Sequence, residues 1–126
     1  MSTHPPIVKA RGLGSARAGV GHWTHQRLTA IANLLLVLWF LFSAIALAGA
    51  GYEEVRAWLA SPLAATLMIL LVISVFYHAP LGLQVVIEDY VQHPGLRIGA
   101  LVAVRLVVAG LAVACIVAIL MVALGS

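Results

Sequence analysis

The chain has 126 residues, 63% of them hydrophobic and only 9% charged, with a mean hydropathy of +1.11. A soluble domain sits nearer half apolar and a quarter charged, so a water-soluble globule is excluded. The formal net charge of +3 comes mostly from the N-terminal tail, where it reports membrane topology and not nucleic-acid binding.

The tail, residues 1–27, carries Lys9, Arg11, Arg17 and Arg27 and no acid, among frequent Gly, Ser and Pro. Its composition suits a transit peptide, and a plain tail on the inner side of a membrane explains it as well. Three apolar blocks follow, at about 28–50, 62–87 and 98–124, forming one anchor domain over 28–126. Each exceeds the ~20 residues that cross a bilayer core as helix. Lipid tolerates no unpaired backbone, so the blocks are helices. The expected fold is therefore an all-α integral membrane protein with three transmembrane helices. Gly49 and Gly51 stop the first helix, and Ser61-Pro62 and His93-Pro94 open the second and third. Tyr52 and Trp58 between the first two blocks suit an interfacial aromatic belt.

Orientation follows from the cations. The tail holds four, Arg56 stands in the first loop and Arg97 in the second. An inner N-terminus, on the cytoplasmic or matrix side, collects five inside against one outside and leaves the C-terminus outside. The second loop, EDYVQHPGLR, then lies on the inner face. Cys115, the single cysteine, forms no intrachain disulfide and reads as a small buried hydrophobe.

The second block holds the chemistry. His78 lies nine residues before Ile87, roughly 13 Å from the inner boundary and near the midplane of a ~30 Å core. At that depth it is either a neutral imidazole packed between helices or an axial ligand of haem iron. Gly82, one turn on and about 40° round the helix, leaves no side chain where a macrocycle edge would lie. Ser74 lies one turn back, and Pro80 removes a backbone donor beside the histidine. These neighbours favour haem. The remaining histidines, His4, His22, His25 and His93, sit in the tail or inner loop, so a second axial ligand must come from another subunit.

Asp89 continues the His78 face, about 20° away, and Tyr90 follows at about 120°. Tyr90 is either a belt residue or a hydrogen-bond donor to a quinone carbonyl. Glu88 and Asp89 beside it tune protons or pair with a partner's arginine. Arg27 anchors the first span or clamps a haem propionate or quinone oxygen, with His22 and His25 just before it. Arg105, inside the third span, snorkels or faces a propionate or a partner acid. Asn33 reads as helix–helix glue.

Together these residues resemble the succinate dehydrogenase hydrophobic membrane anchor family, the D-type subunit that binds cytochrome b556. The likeness spans most of the chain: HWTHQRLTAIAN leads into span one, YHAPLGLQVVIEDYV lies in span two, and span three is featureless. Its specific part is a histidine, a glycine four residues on, and Asp-Tyr at eleven and twelve. The resemblance implies that His78 is one axial ligand of haem b, shared with a companion C anchor that supplies the other. It implies that Tyr90 hydrogen-bonds ubiquinone with Asp89 in support, and that Arg27 sits near the haem propionates and quinone pocket. His22 is a looser match for the same vicinity. The implied assembly is complex II of the tricarboxylic acid cycle, set in a bacterial inner membrane in preference to a mitochondrial one. An iron–sulfur subunit and a flavoprotein would dock on it and hold the clusters and the FAD, since this chain has neither a cysteine set nor a Gly-rich dinucleotide loop. The rivals are a fumarate reductase anchor using menaquinone, and a non-redox assembly or transport subunit with a packed histidine. Transport is disfavoured by the lack of acids inside the spans.

Overall fold

The computed structural model describes residues 13–125; His4, Lys9 and Arg11 lie outside them. The expected all-α fold is present as four helices: α1 (Leu13–Ala46), α2 (Tyr52–Leu59), α3 (Pro62–Tyr90) and α4 (Pro94–Ala123). Three of them, α1, α3 and α4, are long and apolar enough to cross a membrane. The first begins well before residue 28, because nothing between Leu13 and Arg27 breaks a helix except isolated glycines, each costing only about 1 kcal/mol.

Local chemistry sets the helix ends. After Ala46 the chain turns through Gly49, whose φ of +83° is disfavoured for any residue with a Cβ. Gly51 precedes α2, and its N–H donates to the Glu54 carboxylate at 3.3 Å. Ser61 Oγ accepts from the Ala64 N–H at 3.2 Å, with Pro62 opening α3. His93 Nδ1 accepts from the Leu96 N–H at 3.2 Å. Arg97 Nε donates to the Val91 carbonyl at 2.9 Å, so the short α3–α4 turn is tied on both sides.

α3 is the centre of the arrangement. It packs on α1 along one side and on α4 along the other, while α1 and α4 do not meet among the described residues. The result is an open layer of helices. Among the described residues only Leu59, Ala64 and Ile119 are buried, all at the end where α2 packs on α3 and α4. The first loop is thus a structural element as well as an interfacial belt: Trp58 of α2 stacks on Trp39 of α1 with ring centroids 5.7 Å apart. Arg56 donates to the Gly125 carbonyl at 2.9 Å and lies 3.5 Å from Glu53, fastening the end of α4 to α2.

Ser61→Ala should lower unfolding stability in detergent by about 1 kcal/mol, and Ser61→Asn should restore it. The unfolding midpoint under increasing denaturing detergent is the measurement; equal midpoints for all three proteins would refute the cap.

Candidate functional site

α3 runs unbroken through Pro80 and presents His78 to α1. There His78 Nδ1 lies 3.2 Å from the Thr29 hydroxyl oxygen. The same hydroxyl is 2.9 Å from the His25 carbonyl and 3.0 Å from the Gln26 carbonyl. Sequence reading missed Thr29. Its only signal is a polar residue one turn before Asn33 in an apolar helix, and the contact spans 49 positions of sequence.

Successive spans cross in opposite directions, so the positions one turn along from this pair are Asn33 on α1 and Ser74 on α3. Asn33 Oδ1 and Ser74 Oγ are buried with no hydrogen-bond partner. Gly82 lies one turn from His78 the other way, and a Cβ placed there meets no atom within 4 Å. The seam therefore carries an imidazole with one nitrogen engaged, two unanswered polar atoms on one side and open space on the other. No group of three or more His, Cys, Asp or Glu gathers among the described residues, so His78 is not part of a metal-ligand cluster there.

The other predicted residues are dispersed. Tyr90 ends α3 and is 83% exposed; Asp89 is exposed beside it. Neither makes a hydrogen bond or ion pair with the described residues. Arg27 lies 4.8 Å over the Trp23 ring, about 160° round α1 from Thr29, so it does not share the seam with His78. His22 and His25 are exposed and lie within about 40° of Thr29 on the seam side. Arg105, left open between snorkelling and pairing, donates to Gln84 Oε1 at 3.3 Å, and Gln84 Nε2 donates to Glu88 at 2.9 Å. This chain of polar groups faces α4, away from His78. Beside it, an apolar groove of about 390 Å³ between α3 and α4 is lined by Ile73, Tyr77, Pro80, Arg105 and Ala109; His78 is not part of it.

An open layer of three helices long and apolar enough to cross a membrane, with an imidazole near the middle of one, suits the class of multi-pass integral membrane proteins. Across residues 1–124 the chain matches the succinate dehydrogenase/fumarate reductase transmembrane subunit family. It is 41% identical over 100 residues to the succinate dehydrogenase hydrophobic membrane anchor subunit of Rickettsia bellii, covering 79% of this chain and 80% of that protein. It is 35% identical over 101 residues to the subunit of the same name from Rickettsia conorii, with 79% and 80% covered. The chain belongs to this family of succinate dehydrogenase membrane anchors, as the motifs of spans one and two implied.

Ser74→Ala removes an unanswered buried hydroxyl and should leave stability unchanged or raise it by up to ~1 kcal/mol. The detergent unfolding midpoint reads this directly, and a marked loss would mean that the hydroxyl has a partner.

Proposed function

We propose that this chain anchors a succinate:ubiquinone oxidoreductase, complex II, in the bacterial inner membrane. In this reading it co-ligates a haem b and forms part of the ubiquinone-reduction site. The observation that carries the proposal is the state of His78. Its Nδ1 is engaged by Thr29, its Nε2 has no hydrogen-bond partner among the described residues, and open space adjoins it at Gly82. A packed structural histidine would have both nitrogens answered, because an unpaired polar atom at this depth is costly. The residues thus fit a porphyrin: Nε2 of His78 would hold the iron, and Gly82 would leave room beside it. A companion anchor subunit would supply the other ligand. When bound, haem b supplies a one-electron carrier within the membrane.

The remaining roles belong to the inner end of α3. The Tyr90 phenol, exposed and free to rotate toward a partner surface, donates a hydrogen bond to a quinone carbonyl oxygen. Asp89, unpaired and on the His78 side of the helix, accepts from a neighbouring donor and holds that end polar. His22, on the seam side of α1, lies near the propionates. Arg27 serves propionate or quinone across the interface with the companion subunit, since it points away from His78 within this chain. The iron–sulfur and flavoprotein subunits dock on the inner face and carry the clusters and FAD. The N-terminus lies inside and the C-terminus outside. The family also includes fumarate reductase subunits, which would use menaquinone on the same residues; the names of the relatives favour succinate dehydrogenase.

In the purified complex His78→Ala should abolish the b-type Soret band. Tyr90→Phe should keep that band and lower quinone reduction about tenfold, the worth of one hydrogen bond, with succinate oxidation by a soluble acceptor unchanged. A Soret band that survives His78→Ala would overturn the haem assignment. For orientation, a periplasm-dependent reporter fused after Ser126 should be active, whereas the same reporter fused before residue 1 should be silent.

A further inference from the structure

We propose that Thr29 is a positioning residue for the axial ligand: its hydroxyl fixes the tautomer and orientation of His78 so that Nε2 is held as the iron-binding nitrogen. The inference rests on the haem reading above and extends it to a residue on a different helix.

A threonine hydroxyl has one hydrogen and two lone pairs. Thr29 Oγ1 lies 2.9 Å from the His25 carbonyl oxygen and 3.0 Å from that of Gln26, and carbonyl oxygens only accept. The hydroxyl hydrogen thus has its two nearer acceptors on its own helix, in the usual back-bond of a helical threonine. With the hydrogen placed there, a lone pair faces His78 Nδ1 at 3.2 Å, and the arrangement favours the proton on Nδ1. Neutral imidazole has only one N–H, which leaves Nε2 with its lone pair bare. In the opposite tautomer the hydroxyl would have to give up its back-bond and turn its hydrogen toward Nδ1, and Nε2 would carry an unanswered N–H.

Two consequences follow. A histidine that donates its other N–H is a more basic ligand and is held in one ring orientation, and the greater basicity favours ferric over ferrous iron. Because Thr29 belongs to α1 and His78 to α3, the ligand is also set only when these two spans are packed, which couples haem capture to assembly of the layer.

The test uses the intact membrane complex. Thr29→Val keeps the shape and removes the hydroxyl; Thr29→Ala removes it with less bulk; Thr29→Ser restores it. Valine and alanine should move the haem midpoint potential positive, raising the ferrous-to-ferric ratio at a fixed ambient potential by up to roughly tenfold. They should shift the largest g-value of the low-spin ferric signal and weaken haem retention by about tenfold or more. Serine should return potential, signal and retention to the parent values. Val and Ala variants with parental potential and g-values, or a Ser variant displaced as far as Val, would overturn the proposal. His78→Ala run alongside separates the two claims: a haem spectrum that survives it removes the ligand assignment, whereas its loss beside unchanged Thr29 variants removes only the role of Thr29.

Discussion

The hydrocarbon interior of a bilayer gives a polar side chain nothing to bond, so each of its donors and acceptors must be answered by protein or by a bound group. An imidazole brings two such atoms. In this chain one is met by a hydroxyl on the neighbouring helix, and that hydroxyl is itself secured by carbonyls of its own helix. The arrangement works only if α1 lies against α3 in a single register. A slip of one residue would rotate Thr29 away by about 100°, leaving both groups unpaired.

That constraint also accounts for how little else is closed. A three-span chain has too few helices to wrap a site, and here the outer two do not touch. Large apolar side chains such as Leu35, Phe42, Ile98 and Leu106 are exposed on the layer. That suits lipid or other spans as neighbours but not water. The seam holds two buried polar atoms without partners, on Asn33 and Ser74, and the Tyr90 end of α3 holds a carboxylate and a phenol unpaired among the described residues. A chain complete in itself would answer these groups. One that shares a site with companion subunits leaves them for the interface, which agrees with the family to which it belongs.

Much of this was legible in the sequence because the signals are local. Span lengths fix the three long helices. Ser61-Pro62 and His93-Pro94 mark helix starts through caps that need only neighbouring residues. The depth of His78 follows from counting along one helix. What escaped notice depended on facts between helices. Thr29 reads as a self-bonded helical residue until α3 is laid beside it. Arg105 stayed undecided because its partner, Gln84, is on another span. Arg27 drew attention by its place in the motif, yet helical geometry turns it toward Trp23. The short helix α2 is a different case. Tyr52, Val55 and Leu59 recur at helical spacing, but eight residues with three charges do not stand out between two apolar blocks.

The division of α3 into two polar sides explains why its adjacent acids behave differently. Counting from His78, Asp89 lies about 20° round the helix, whereas Gln84 and Glu88 lie about 120° and 80° round the other way. Glu88 is thereby placed to accept from Gln84, which in turn accepts from Arg105. This line of three groups spans α3 and α4 and lets the cation of the third span remain in the membrane with its charge partly answered. Asp89, on the histidine side, takes no share in it. One acid is thus committed to a line that joins two helices, and the next stays outside it. Of the adjacent pair, only Asp89 is without a hydrogen bond or ion pair among the described residues.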